Sequence, residues 1–405
     1  MKHADVIIIG GGAAGFFTAI NAAEANPKSK IIILERGKEV LTKVKISGGG
    51  RCNVTHAEFI PKELTQNYPR GEKELLGPFH TFMTGDTIDW FEKRGVPLKI
   101  EEDGRMFPVS NSSQTIIDCF LFETRRSGVE VILNQSVKEI RQLESSFHIT
   151  TTSDRFAAEK IVIATGSNPK IWKILEDLGH AIIPAVPSLF TFNINDSRIM
   201  DLPGLSTNSS VKILDSNGKT VLENQGPLLI THWGMSGPAI LKLSAWGARL
   251  LEPLKYKFKI EINWLENISE EEIFDKLKSL KSDFGRQTLF KYTQFGLPKR
   301  LWQNLSKAAG INENLTWAEA TRENLQNIAN QLTAGVFQVE GKSTFKEEFV
   351  TAGGVDLKEV NFKTFESRVI KNLFFAGEVL NIDAITGGFN FQNAWTSGFI
   401  VSRNL

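Results

Sequence analysis

Cysteine is scarce in this chain. Its two residues, Cys52 and Cys119, lie far apart and supply neither a disulfide framework nor a metal-ligand spacing. Neither sign of charge is in excess, since 47 Lys and Arg face 46 Asp and Glu. With that balance, and with no basic tract interleaved with aromatics standing out, no nucleic-acid partner is expected. No apolar run approaches the roughly 18 residues that cross a bilayer, so no membrane is expected either. The first residues enter a strand pattern at once, which leaves no room for a signal peptide and points to the cytoplasm. Internal repeats and low-complexity tracts are absent. What remains is a chain of 405 residues, long enough for two or three domains with full cores.

The most informative stretch is the first. Val6 to Ile9 is an apolar run long enough for one buried strand, and Gly10-Gly11-Gly12-Ala13-Ala14-Gly15 follows directly. Phe16 to Ala25 reads as an Ala-rich helix, and Ile31 to Leu34 as a second buried strand ending at Glu35. Strand, glycine turn, helix, strand, acid is the dinucleotide-binding βαβ unit. Gly10 permits the tight turn, Gly12 lets a pyrophosphate approach the backbone, and Gly15 with Ala14 lets the helix lie close on the sheet. The helix N-terminus, from Ala13, offers free N–H groups and partial positive charge to phosphates. Glu35 can accept from a ribose hydroxyl and disfavours a 2′-phosphate, so the ADP-ribose of FAD or NAD fits better than NADP.

Leu41 to Asn53 holds three glycines flanked by Lys43, Lys45 and Arg51, a cationic loop whose N–H groups can cradle an anion. Cys52 in it is either a redox thiol or a small packed side chain. Helices are expected over Asp86–Arg94 and, capped by Ser113, over Gln114–Arg126. Val129–Leu133 reads as a strand, and Val137–Ile140 with Phe147–Thr152 as a small antiparallel meander. Lys160 to Gly166 is another strand running into a glycine turn.

Near Pro184 and Pro187 the character changes. Short strands are expected at Phe190–Asn195, Val211–Leu214 and Leu228–Thr231, and Lys255–Trp264 alternates polar and apolar without a break, as a strand with one wet face does. From Ser269 to Leu332 the pattern is helical, opened by a cap and acidic first turn at Ser269 to Glu272. Residues 189–344 therefore read as an insert, β-rich over 189–265 and helical over 266–344. Within it, Thr231 to Pro238 stands out: Pro238 fits a helix entry, and His232 before it either contacts a substrate oxygen or bonds a loop carbonyl. No second glycine-rich nucleotide motif is visible. The first pattern then returns. Phe349–Val355 is a strand and turn, Leu373–Phe375 leads into Gly377 and Glu378, and Thr386 to Gln392 opens a final helix. Glu378 can meet a ribityl hydroxyl or phosphate, and a glycine-opened helix can aim its N-terminus at a flavin's N1–C2=O edge.

These residues resemble the two-dinucleotide-binding-domain flavoproteins, and within them the YhiN/BaiN-like family of bacterial FAD-dependent oxidoreductases, also labelled the aminoacetone oxidase family. Ser47 to Asn53 (Ser-Gly-Gly-Gly-Arg-Cys-Asn) is similar to the family's most distinctive motif. Thr231 to Pro238, Thr351 to Val355 and Gly377 to Gln392 also match, so the resemblance runs in order from residue 6 to about residue 400. It implies an α/β fold, with a discontinuous Rossmann-like FAD-binding domain (1–188 and 345–405) and an inserted β-barrel plus helical domain over 189–344 that covers the site. It implies FAD contacts at Gly10, Gly12, Ala13, Ala14, Gly15, Glu35 and Arg36, then at Lys43, Gly49, Gly50, Arg51, Cys52 and Asn53. The backbone of Val137 would meet the adenine. Ala164, Thr165, Gly166, Gly377, Glu378, Asp383, Gly388, Phe389 and Asn390 would complete the site. Two departures are evident. The short Gly166-Ser167-Asn168-Pro169 replaces a longer glycine-rich stretch, and Asn381 and Ala384 stand where Asp and Gly are usual.

The expected activity is an FAD-dependent oxidoreductase, with NAD(P)H as a transient reductant visiting the same cleft and a small electron-poor C=C or C=O compound as acceptor. Arg105 and His232 are candidate substrate contacts; no metal and no general acid is assigned. The alternatives are an amine or alcohol oxidase using O₂ and an RNA-modifying or RNA-binding flavoprotein.

Overall fold

A computed structural model of the chain describes residues 1–144, 146–343 and 350–405. The chain forms two compact units, Met1–Val186 with Val350–Leu405, and Pro187–Phe349. The expected strand start at Phe349, and the expected border between residues 344 and 345, lie outside the described residues.

The first unit is built on β1 (Lys2–Ile9), α1 (Ala13–Ala25) and β2 (Ile31–Leu34). β1 lies between β2 and the strand Arg155–Ile163, parallel to both, and Glu130–Ile132 extends the sheet beyond β2. The C-terminal part re-enters here: Leu373–Phe375 pairs in parallel with Arg155–Ile163, Phe375 opposite Ile163. Where these strands cross the core, at Val6–Ile9, Ile31–Leu34, Ile161–Ile163 and Leu373–Phe375, they are buried on both faces and are continuous apolar runs rather than alternating ones. The expected meander is present as Val137–Gln142, Phe147–Thr151 and Arg155–Ile163, paired antiparallel.

α1 is buried almost all round, from Ala14 to Ala23. Small residues make that possible. A Cβ on Gly15 would sit 2.0 Å from Gly10 O, and one on Gly398, in the C-terminal helix Phe389–Ser402, would sit 3.0 Å from Thr18 Oγ1. Phe17 bridges the layers, its ring centroid 4.6 Å from that of Trp90 and 5.2 Å from that of Trp395. Trp395 is fully buried and its Nε1 donates to Val54 O at 2.8 Å, so its one polar atom is satisfied. The helix expected to be capped by Ser113 is capped one residue earlier, by Ser112, whose hydroxyl accepts from Gln114 N.

The second unit is a seven-stranded sheet with a helical subcluster and one apolar core. Its two edge strands, Gly335–Val339 and Gly341–Ser343, are consecutive in the chain and joined through Glu340, whose N–H donates to Asn193 O at 2.9 Å. They share no ladder with each other among the described residues, so the implied barrel is an open sheet whose edges one residue links. These strands lie within the stretch expected to be helical; Gly335, Phe337 and Val339 alternate inward with outward Val336 and Gln338, a period of two that the helices before them mask. The expected strand Lys255–Trp264 begins only at Phe258, because Lys255 and Tyr256 take left-handed φ of 53° and 59°, which no strand tolerates. The capping box at Ser269 forms as expected, Ser269 Oγ accepting from Glu272 N at 3.2 Å and Glu272 Oε2 accepting from Ser269 N at 3.0 Å. No helix among the described residues is long and apolar enough to cross a membrane.

Candidate flavin site

The site residues of the first unit gather at the C-terminal ends of its parallel strands, where open α/β sheets bind ligands. Three clusters make it up.

The first is the turn after β1. Gly10 has φ 116°, and a Cβ there would sit 2.4 Å from Ala164 O, so the turn and the Ala164–Gly166 segment touch backbone to backbone. Gly12 differs: its φ of −96° suits any residue, and a Cβ on it would meet no atom within 4 Å. α1 has no side-chain cap at Gly12, which leaves the N–H groups of its first turn, including those of Ala13 and Ala14, free of intrahelical acceptors. Glu35 is tied into this turn. Its Oε2 accepts from Gly11 N at 2.8 Å and its Oε1 from Gly37 N at 2.7 Å, leaving each oxygen a further lone pair for a ribose hydroxyl. Arg36 is exposed. Gln135 N donates to the backbone carbonyl of Glu35 at 2.8 Å, which ties the chain leading to buried Val137 to the end of β2.

The second cluster joins distant parts of the chain. Lys43 Nζ donates to Glu378 Oε2 at 2.7 Å, and a Cβ on Gly166 would lie 3.6 Å from that oxygen and 3.9 Å from Nζ. The Glu378 charge beside it holds the Lys43 ammonium above its ordinary pKa. Gly377 N donates to Ser397 Oγ at 2.9 Å, fixing the strand end to the C-terminal helix.

The third is the Ser47–Asn53 motif. Expected as a flexible loop, it is the end of α2 (Thr42–Gly50), where Gly48, Gly49 and Gly50 turn left-handed at φ 57°, 67° and 82°. Only glycine makes three such residues in a row cheaply. Cβ atoms on Gly49 and Gly50 would touch nothing within 4 Å. Asn53 Oδ1 is buried without a hydrogen-bond partner among the described residues and lies 2.9 Å from where a Gly388 Cβ would be. Gly388 caps the C-terminal helix with no side-chain bond, so that helix N-terminus also has free N–H groups facing the motif.

Several expected contacts are engaged otherwise. Arg51 does not present a free fork: its Nη1 donates to Glu101 Oε1 at 2.6 Å and its guanidinium stacks 3.9 Å above the Phe107 ring. Cys52 is fully buried and burial pushes its thiol up to about 12, which removes the redox-thiol reading. Asp383, also fully buried, forms a two-point ion pair with Arg70, Nε to Oδ1 at 2.5 Å and Nη2 to Oδ2. Asn390 holds the peptide of Ala384 from both sides, accepting from its N–H at 2.9 Å and donating to its carbonyl at 3.2 Å. Phe389 is buried, and its carbonyl accepts from Tyr68 Oη at 2.6 Å. Arg105 Nε donates to Asp103 Oδ2 at 2.7 Å. His232 belongs to the second unit, exposed in the turn between Thr231 and Gly234.

Sequence reading missed His56, Tyr68 and Arg70. His56 stacks on Phe389 with ring centroids 4.6 Å apart, and its Nδ1 lies 3.1 Å from Gly387 O. Its only sequence signal is its place three residues past Asn53.

These features fit FAD. The open side of Gly12 and the uncapped α1 suit a pyrophosphate, Glu35 a ribose, and the glycine turn with the Asn53 acceptor the polar edge of an isoalloxazine.

Comparison with known proteins agrees. Over 413 residues, 100% of this chain and 98% of its partner, the sequence is 29% identical to the ribosomal RNA dihydrouridine synthase of Escherichia coli K12. It is 26% identical over 405 residues to the 3-dehydro-bile acid Δ(4,6)-reductase of Clostridium scindens, covering 98% and 97%. The solved structure of a 3-ketosteroid-Δ4-(5α)-dehydrogenase from Rhodococcus jostii RHA1 shares the fold, with a TM-score of 0.51 at 12% identity over 99% of this chain and 97% of that one. The model of the HI0933-like protein Rossmann domain matches residues 4–404, and the chain belongs to that family of FAD-binding oxidoreductases.

Proposed function

We propose that this flavoprotein reduces a carbon–carbon double bond conjugated to a carbonyl, and that the bond is C5=C6 of a uridine in ribosomal RNA. The observation that supports this most is the likeness to the E. coli rRNA dihydrouridine synthase, which runs over 100% of this chain and 98% of that one. Uracil C5=C6 is polarised by its C4 carbonyl, which makes C6 an acceptor for hydride. This replaces the expectation of a small free substrate without nucleic acid, but keeps its chemistry.

FAD, when bound, supplies that hydride from N5, and the protein contributes position and electrostatics. Gly12 and the first turn of α1 would hold the pyrophosphate, and Glu35 the adenosine ribose. The N-terminus of the C-terminal helix at Gly388 places partial positive charge against the Ser47–Asn53 motif, where it would favour negative charge on a reduced cofactor. NAD(P)H is the proposed electron source, and it would visit the same cleft, since no second glycine-rich nucleotide motif occurs in the sequence.

The test uses FAD-loaded protein, unmodified rRNA transcripts and NADH or NADPH under anaerobic conditions, followed by mass spectrometry of the digested nucleosides. The expected result is uridine carrying two added hydrogens. Cofactor that is reduced by neither nicotinamide, but rapidly by an amine or alcohol, would move the assignment to an oxidase. A second reading rests on the C. scindens relative: a conjugated enone of a steroid takes the place of uracil in the same reaction class. Consumption of NAD(P)H with a steroid enone and none with RNA would select it.

A further inference from the structure

Between Asp283 and Glu313 the chain runs through residues 284–312 without one carboxylate side chain. Over that span it has five basic residues, Arg286, Lys291, Lys299, Arg300 and Lys307, and hence a local charge of +5. Phe284, Phe290, Tyr292, Phe295 and Trp302 are interleaved with them. The expectation that no such tract exists therefore fails, because a chain-wide charge of +1 averages it away.

The second unit displays this stretch on a fixed frame. Helix Glu270–Phe284 stops before Gly285, and helix Lys299–Ala308 starts after Pro298. Between them Leu289 and Leu297 are buried, and Trp302 is fully buried with its Nε1 donating to Leu289 O at 2.9 Å. Leu289 N donates to Leu315 O at 2.9 Å and Trp317 N to Gln287 O at 3.0 Å, which pins the backbone. Leu289, Leu297 and Trp302 point in, while Arg286, Lys291, Tyr292, Lys299 and Arg300 are exposed. Arg300 meets Asp201, and Lys307 meets Glu313 at 3.4 Å; Arg286, Lys291 and Lys299 have no ion-pair partner among the described residues. Lys299 and Arg300 also sit in the first turn of their helix, where the macrodipole is already positive and carboxylates are the stabilising choice. The local sequence thus favours attraction of an anion over helix stability.

Aromatic faces accompany the charge. Tyr292 is 43% exposed, with Lys291 Nζ 5.7 Å from its ring centroid. Arg300 pairs with Asp201, the neighbour of Met200 in the chain, and Met200 and Trp233, 64% and 60% exposed, line one cavity of about 260 Å³ that Asp196 and Glu340 also line. Unpaired cations that follow a backbone, with exposed aromatic rings on which bases stack, are the requirements of single-stranded nucleic acid.

We infer that this face of the second unit, from Arg286 through Tyr292 and Lys299 to Trp233, is an RNA-binding surface. The inference rests on the rRNA reading above for the choice of RNA. Lysine and arginine engage phosphates without regard to sequence, and Tyr292 and Trp233 stack unpaired bases.

The test compares full-length, FAD-loaded wild type with Lys291→Ala/Lys299→Ala and with Tyr292→Ala. The probe is a fluorescein-labelled oligouridylate, followed by polarisation across a salt series. The double variant is expected to bind about tenfold more weakly, and its log–log salt slope to fall by about 1.4, roughly 0.7 for each phosphate of a single strand that is no longer neutralised. Tyr292→Ala is expected to weaken binding at least about fivefold with the slope unchanged. Flavin content and flavin reduction by NAD(P)H stay at wild-type values, which shows that the variants are folded. Wild-type protein that ignores the oligonucleotide, or variants that bind it with unchanged affinity and slope, overturn the surface. Dihydrouridine formed equally by wild type and variants that bind alike leaves the substrate reading standing and removes only the surface. Salt-sensitive binding that the variants lack, with no dihydrouridine from any of them, does the reverse.

Discussion

Lys43 Nζ and Glu378 Oε2 lie 2.7 Å apart, although 335 positions separate them in the chain. The pair ties α2 to the end of the strand Leu373–Phe375, beside Gly166. Lys43 has a side chain 60% exposed, so the pair contributes less than about 1 kcal/mol to stability. Its consequence is positional, an ammonium held where the cofactor's phosphate or ribityl chain would pass. Lys43→Met is therefore expected to leave the denaturant midpoint of the FAD-free protein almost unchanged while weakening FAD about fivefold to tenfold. Fluorescence titration of the apoprotein with FAD reads this directly, and equal affinities would remove Lys43 from the site.

Gly10 and Gly12 stand in the same turn and should respond oppositely to a methyl group. Gly10→Ala forces a Cβ to 2.4 Å from Ala164 O at a φ of 116°. It is expected to destabilise the FAD-free protein by about 3 kcal/mol or more, through backbone strain and displacement of the neighbouring segment. Gly12→Ala meets nothing within 4 Å at an ordinary φ. Thermal melting of the FAD-free form should stay at or slightly above wild type, whereas flavin content after purification should collapse. Gly12→Ala protein that purifies with full flavin would show that no pyrophosphate approaches there.

The βαβ unit was legible because each of its parts has a local cause: an apolar run, glycines at a turn, an Ala-rich helix, an acid at a strand end. Partners chosen over long range left no such trace. Asp383, an acid beside a glycine-rich turn, looks like a cofactor ligand in sequence; in the fold it is fully buried against Arg70. Arg51 looks like a free anion fork and is held by Glu101. Lys255 and Tyr256 continue a flawless strand alternation, yet their left-handed backbone ends it, a choice made by the turn before them. The basic stretch 284–312 was hidden by the chain-wide sum rather than by its own residues.

Glu35 joins the turn after β1 to the strand end of β2 through two backbone donors, Gly11 N and Gly37 N. Its loss should therefore be felt without any cofactor. Glu35→Ala leaves both N–H groups without their acceptor and is expected to cost the FAD-free protein about 2 kcal/mol. Glu35→Gln keeps one acceptor oxygen and should cost about half as much. Both should weaken FAD further, by loss of the ribose bond. Urea denaturation of the apoproteins, paired with FAD titration, separates the two effects. Variants as stable as wild type but poor in FAD would leave only the ribose role.

His180 gives the first unit a pH dependence. Its ring is buried, with Nδ1 3.0 Å from Glu359 Oε2, Nε2 3.2 Å from Ser367 Oγ, and the Phe375 ring edge-on at 5.3 Å. Burial holds its pKa below the ordinary imidazole value, although the Glu359 carboxylate pulls the other way. The folded state therefore favours neutral His180 and the unfolded chain binds the proton first. The stabilisation is fully present above the ordinary value of about 6.5 and is lost as pH falls through the lower folded value. Wild type should accordingly lose more melting temperature between about pH 7.5 and pH 5 than His180→Gln, which has no proton to gain. His180→Gln should be the less stable of the two at the upper pH, where it forfeits the packing against Phe375, and the gap should narrow on acidification. Parallel pH profiles for the two proteins would show that His180 titrates alike in the folded and unfolded chain.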